Sequence, residues 1–250
     1  MKFLLEAGKV LEREKFLITT SLSKNDYLIT NIAELKDLKE DLTAYTPIGS
    51  VEFCRELMRV LEVDEPESFS YLNYIDLRES QRQNIDLSTT PEGRQIYLAY
   101  AQDIIRLKTP LDEYFIKPQR TKKFDAFKVP TSFLKEFNDP YVIPLSYYSE
   151  VVNFEAEFRF YILNKEIVGF SQYGEGPQLE PDIKVVKDVI LQFTDQPVGY
   201  SIDVGIVKDR TLLVELNDGW ALGYYPWGTC KFNDYVELIT ERWKQITKGR

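Results

Sequence analysis

Along the first quarter of the chain the apolar positions come in short runs: "KFLLEA" reads as a first strand, with "FLITTS" and "DYLIT" following at short intervals. The spacing turns helical in "SVEFCRELMRVLEV", where Phe53, Leu57 and Val60 share a face, Ser50 stands at the N-cap and Glu52 lies in the first turn. The stretch from Asp64 to Gly93 is polar and irregular and reads as a connection. "GRQIYLAYAQDIIRLK" after it predicts a second helix. From about Asp112 strands dominate: "EYFIKP" is a strand stopped at Pro118, "VPTSFLKEF" a short helix, and "PYVIPLSYYSEVV" an extended segment. "EFRFYILNKEIVGFSQY" predicts two strands folded back at Asn164-Lys165, and "GYSIDVGIVKDRTLLVELN" a second hairpin turning at Lys208-Asp209-Arg210. Between the hairpins, "PDIKVVKDVILQF" places Val185, Val186, Val189, Ile190 and Phe193 on one side, and "DYVELITERWKQI" is a closing helix. Antiparallel hairpins packed with helices make the fold class α+β, or mixed α/β.

Length and composition narrow the function. A chain of 250 residues, 44% apolar and 28% charged, is an ordinary soluble globular protein of one large domain or a few tightly joined subdomains. A net charge of -9 argues against a general nucleic-acid binder, though an acidic body can still carry a local basic pocket. No apolar run approaches the roughly 18 residues of a membrane span, and the N-terminus lacks the long apolar region of a signal peptide, so no membrane partner is expected. Cys54 and Cys230 are too few for a disulfide framework, which makes a reducing cytoplasm the expected setting. The complete lack of histidine excludes Ser-His-Asp and Cys-His catalysis and histidine metal ligation. Any metal must be held by oxygen, which suits magnesium or calcium, and proton transfer falls to carboxylates, lysine or tyrosine.

Three groups of residues could carry chemistry. Asp203 follows Ile202 in an apolar strand, and Glu215 and Asn217 share a face by period-two alternation, so pairing across the turn at Asp209 would bring three oxygen-bearing side chains together. Such a set suits a hard cation; taken alone, the same residues also read as strand ends reaching solvent, with Asp218-Gly219 a simple turn. Lys117 ends the apolar strand before Pro118, and Arg120, Lys122 and Lys123 follow it, a run that suits a phosphate chain or forms a solvated basic loop. Glu150, Glu155, Glu157 and Arg159 occur where an extended segment passes into a strand; Glu157 and Arg159, on one face, read as a structural ion pair or as a grip on a ligand.

The order of these parts is more specific than any one of them. A strand-end lysine, a hinge with glutamates, then an Asp hairpin ending in Glu-x-Asn resembles the ATP-grasp superfamily over roughly Asp112 to Lys244, with "SIDVGIVKDRTLLVELNDG" as the most specific match. Arg159 and the "PIGSVEF" element at Pro47 to Phe53 resemble features of a small ATP-grasp clade of phages and bacteria, which implies a pre-ATP-grasp N-terminal subdomain with linker over 1-110 and a nucleotide- and metal-binding region over 111-250. For a phage-encoded chain the setting becomes the host cytoplasm. The resemblance implies ATP and Mg2+ as cofactors. It implies Lys117 on phosphate, Glu150 with the backbone of Val151 and Val152 at adenine, and Glu157 on the ribose hydroxyls. Asp203, Glu215 and Asn217 become magnesium ligands, with Arg159 beside Lys117 as a catalytic cation. The family's glycine-rich phosphate loop is replaced by "QRTKKFDAF", where Arg120, Lys122 and Lys123 would grip phosphate by side-chain charge. No residue aligns with the family's upstream lysine; Arg78 and Arg82 are the candidates. The implied activity is a carboxylate–amine ligase forming an amide or peptide bond through an acyl phosphate, on small-molecule or peptide substrates. The alternatives are an ATP-dependent phosphotransferase and a non-catalytic nucleotide-binding interaction module, the latter favoured by the missing glycine loop. Trp220, Tyr224 and Tyr225 would stand near the acceptor or cap the core.

Overall fold

The computed structural model describes residues 2–9, 12–21, 26–77, 94–107, 110–120, 123–137 and 143–248. The first apolar run forms β1 (Lys2–Glu6), while "FLITTS" falls within α1 (Glu12–Ser21) and "DYLIT" supplies β2 (Tyr27–Thr30). With β3 (Tyr45–Ile48) these strands make a parallel sheet in the order β2-β1-β3. α2 (Val51–Val60) starts at Ser50, whose Oγ accepts from the Phe53 amide at 3.2 Å. It buries Phe53, Cys54, Leu57 and Met58 beside Leu4 of β1, together with Trp220 and Trp243 from the far end of the sequence.

The second expected helix is a correction. Its first half is β5 (Ile96–Ala99), and only Ala101–Ile105 is helical, as α3, where Asp103 Oδ2 accepts from the Tyr100 amide at 3.1 Å. Ile96 and Leu98 pack with Tyr71 and Tyr147 on one side while Ala99 joins a separate core on the other, so the burial period is two. Pairing with a neighbouring sheet overrides local helix preference here. That sheet also contains β4 (Ile75–Asp76), β6 (Glu113–Pro118), β7 (Phe127–Pro130) and β8 (Ser146–Ser149), in the order β4-β5-β8-β6-β7. It therefore draws strands from both sides of residue 110. The short helix expected from Val129 begins later, as a 3-10 helix over Thr131–Phe137, because Pro130 holds Val129 extended at the end of β7.

The third sheet is formed by the two predicted hairpins. β9 (Ala156–Leu163) and β10 (Glu166–Tyr173) turn at Asn164 and Lys165, whose φ values of 51° and 69° fit a two-residue primed turn. β11 (Gly199–Val207) and β12 (Arg210–Asp218) turn in the same manner at Lys208 and Asp209, with φ of 48° and 61°. The sheet order is β10-β9-β11-β12. α4 (Ile183–Gln192) covers one face with Val186, Val189 and Ile190 against Phe158, Phe160, Ile202 and Leu216. α5 (Phe232–Ile246) packs Tyr235, Leu238 and Ile239 against Phe3, Leu5 and Ile48 of the first sheet. The mixed α/β class read from the sequence is the one observed. Among the described residues no helix is long and apolar enough to cross a membrane.

Candidate active site between two sheets

Alternation sends Phe158, Phe160, Ile202 and Leu216 toward α4, leaving Glu157, Arg159, Ser201, Asp203, Glu215 and Asn217 on the opposite face of the third sheet. Cross-strand pairing then aligns Arg159, Asp203 and Glu215 in one row and Ser201 with Asn217 in the next. Arg159 Nε and Nη2 donate to the Asp203 carboxylate at 2.9 and 2.7 Å, and Ser201 Oγ donates to it at 3.2 Å. Asn217 Nδ2 bridges Asp203 Oδ2 and Glu215 Oε1 at 3.1 and 3.0 Å. Lys117, at the end of β6 in the facing sheet, donates its Nζ to Glu215 Oε2.

Charge balance holds this cluster together. Burial pushes the Asp203 carboxyl above its ordinary value against the pull of Arg159. Burial acts on Glu215 in the same direction, but the charge and hydrogen bond of Lys117 outweigh it and set Glu215 below the usual carboxylate range. Lys117 in turn loses solvation, and Glu215 and Tyr71 more than restore its proton affinity. Two acids and two bases are thus mutually neutralised. Among the described residues no three acidic, cysteine or histidine side chains gather at one point; the third donor beside Asp203 and Glu215 is the Asn217 amide. Two carboxylates and an amide do not make an all-protein cage. They suit a hard cation such as magnesium, which completes its coordination with waters and ligand phosphates, once the Asn217 carbonyl oxygen is turned toward it.

The register slips between Asp203 and Val204, so that Val214 is the extra residue of a β-bulge in β12. Its carbonyl accepts from Arg94 Nη2 at 3.0 Å. Arg94 is 7% exposed, its guanidinium lies 5.7 Å from the Tyr71 ring centroid, and among the described residues its Nε has no hydrogen-bond partner. Lys117 approaches the same ring at 5.7 Å. Sequence reasoning missed Arg94, because the residues after it were read as a helix. Read as a strand, "RQIYLA" would have marked it as a basic residue leading into the sheet that carries Lys117.

A cleft of about 290 Å³ opens between the two sheets. Val151, Val152 and Phe154 line it at the hinge, Glu157 and Tyr173 on one wall, and Phe115, Arg94 and Lys128 on the other, with Glu215 at the end toward the cluster. Tyr173 donates to Glu157 Oε2 at 3.0 Å. Burial raises the Glu157 carboxyl above its ordinary value against that bond. Gly205 lets the Phe154 ring lie on β11, since a Cβ there would stand 2.3 Å from a ring carbon. The structure does not bring every candidate here. Glu150 is half-buried and outside the cleft lining. Arg120 donates to Glu65 Oε2 at 2.8 Å, a carboxylate also held by Arg55, and Lys123 is exposed. Lys122, Arg78 and Arg82 lie outside the described residues.

A second cavity, of about 360 Å³, lies beyond Glu215 and Asn217, between the β3–α2 junction, the chain after β12 and α5. Trp220 and Tyr225 line it, whereas Tyr224 is buried in the core. Tyr225 stacks on Tyr173 at 5.3 Å, and the Arg159 guanidinium lies 5.2 Å from the Tyr225 ring centroid. Gly219 serves a close approach at this end of β12, because a Cβ there would meet the Gly199 carbonyl oxygen at 2.5 Å.

The model for the ATP-grasp domain, R2K clade family 2, matches residues 92–237, more than half of the chain. The chain belongs to this ATP-grasp family. The R2K-clade match begins just ahead of Arg94 and spans Lys117, Arg159 and the Asp203–Asn217 hairpin. No curated protein matches the chain. Among solved structures, the RimK domain ATP-grasp protein from Sphaerobacter thermophilus aligns at a TM-score of 0.50 and 11% identity, over 99% of this chain and 98% of that one. A D-alanine--D-alanine ligase from Bacillus anthracis aligns at 0.48 and 10% identity over 99% of both chains. The ATP-grasp ligase PsnB, complexed with a phosphomimetic variant of its minimal precursor, Mg and ADP, aligns at 0.42 and 12% identity, over 60% of this chain and only 52% of its own. At such identities the likeness is one of fold, and the R2K-clade chain spans about half the length of PsnB.

Proposed function

We propose that the protein is an ATP- and magnesium-dependent carboxylate–amine ligase that works through an acyl phosphate. The observation that carries this reading is the position of Glu215, which lines both cavities and is held by Lys117 from one sheet and Asn217 from its own. The hinge cleft would take the nucleotide, with Val151, Val152 and Phe154 against the base and Glu157 on the ribose. Its phosphates would run toward Arg94 and Lys117. Asp203, Glu215 and Asn217 would hold magnesium, which when bound neutralises charge on the transferring phosphoryl group. Lys117 and Arg159 add fixed positive charge on either side of the reaction path. A substrate carboxylate oxygen bonds to the γ-phosphorus as the bond to the β-phosphate oxygen breaks and ADP leaves. The amine then displaces phosphate from the acyl carbon. No protein nucleophile is needed, in keeping with a chain that has no histidine.

Two measurements test this. With substrate acids carrying 18O in the carboxylate, released inorganic phosphate is expected to gain one labelled oxygen; unlabelled phosphate would remove the acyl-phosphate step, and a stable phosphorylated product would replace the ligase with a phosphotransferase. Arg94→Met is expected to weaken binding of a fluorescent ATP analogue about 10- to 100-fold, the loss of one charge-assisted bond of roughly 1.5–3 kcal/mol. Wild-type affinity in that variant would remove Arg94 from the nucleotide site.

A further inference from the structure

The second cavity is chemically one-sided. Among the described residues that line it, Glu215 is the only acid, and Lys117 already neutralises it. Two cations line it: Arg159 and, at the edge, the exposed Lys9. Arg159 spends Nε and Nη2 on Asp203, and among the described residues its Nη1 makes no hydrogen bond. Lys9 has no ion-pair partner among the described residues. The rest of the wall mixes apolar Ile48, Trp220, Leu222 and Ile239 with polar Ser50 and Tyr225. An ammonium group would find no free counter-charge here, whereas a carboxylate would find half of a guanidinium fork. At about 360 Å³ the cavity is near the lower end for small-molecule sites, usually about 300–1,000 Å³.

Resting on the ligase reading, we propose that this cavity binds the acid partner. It would take a free carboxylic acid of amino-acid size, with an apolar body, its reacting carboxylate at Arg159 and a second anionic group reaching Lys9. The amine is not held here and arrives after the acyl phosphate forms. The arrangement favours a free acid over a peptide terminus, since about 360 Å³ between the β3–α2 junction, Trp220 and α5 suits one body of amino-acid size better than a chain of several residues.

Hydroxylamine trapping tests the assignment without knowledge of the natural amine. Its nitrogen attacks the acyl phosphate carbon, the C–O bond breaks, phosphate leaves with the electron pair, and the nitrogen's proton passes to solvent, leaving a coloured iron-binding hydroxamate. The probes are 3-phenylpropionate, phenylsuccinate and N-acetyl-Ala-Ala-Phe, each with ATP and magnesium. Phenylsuccinate is expected to give the highest kcat/KM, 3-phenylpropionate less, and the peptide none. Gly223 lines the cavity and a Cβ there would meet nothing within 4 Å, so Gly223→Leu fills the space from a site that tolerates a side chain. It is expected to raise KM for both small acids at least tenfold with nucleotide affinity unchanged. Lys9→Gln is expected to erase the preference for phenylsuccinate. Hydroxamate from the peptide alone, or small-acid KM values untouched by both variants, overturns the cavity assignment and leaves the ligase standing. No hydroxamate from any probe also overturns it, and if ADP accumulates in that case the ligase reading falls too.

Discussion

Glu215→Gln is expected to reduce ADP release by at least about 10²–10³-fold, the range found when one preorganised electrostatic group is removed from a reacting centre. The substitution changes almost no volume, and the amide can keep one bond to Asn217 or to Lys117. What it loses is a charge. Glu215 is ionised in the folded protein because Lys117 offsets the cost of its burial, and that negative charge is what a divalent ion beneath the phosphates would require. Magnesium titration of nucleotide binding separates this from general damage. The variant should bind an ATP analogue with little dependence on magnesium, while the wild type requires it. Wild-type ADP release by Glu215→Gln would remove Glu215 from the metal site.

The second large effect is on folding. Asp203 is 1% exposed and holds Arg159 by two hydrogen bonds. Asp203→Ala leaves a buried guanidinium without its partner and is expected to cost about 3–5 kcal/mol in urea unfolding. Arg159→Met in the same chain removes the stranded charge, so the double variant should recover most of that loss while remaining inactive. Full destabilisation in the double variant would show that packing, not charge, dominates at this row of the sheet. The pair therefore stabilises mainly in the sense that neither member can be spared alone. A bound cation beside Asp203 would share that task.

How much of this was legible depended on sequence distance. The convergence of Asp203, Glu215 and Asn217 could be read because one short hairpin joins their strands and alternation fixes their face; the turn at Lys208 and Asp209 adopts the positive φ that such a connection needs. Lys117 could be placed at a strand end because Pro118 stops the run. The bulge at Val214 could not, since it exists only in the pairing of β12 with β11. Arg94 was hidden by the misread helix: "QIYLAYAQDII" contains residues that serve either state, and the sheet waiting beside it decided between them. The Glu65–Arg120 pair spans 55 positions and Arg242–Asp218 spans 24, and no local pattern announces either. Asp218, read as part of a turn, is bound by Arg242 Nε and Nη2 at 2.6 Å each and ties the end of β12 to α5.

That tie belongs to a larger dependence. Leu4, Phe53 and Leu57 share their core with Trp220 and Trp243. A ribosome adding roughly 5–20 residues per second needs roughly 10–40 s to travel from Phe53 to Trp243. During that interval the β1 and α2 segments must wait with this apolar side uncovered. Leu4 and Phe53 are made well before the tryptophans that seal them.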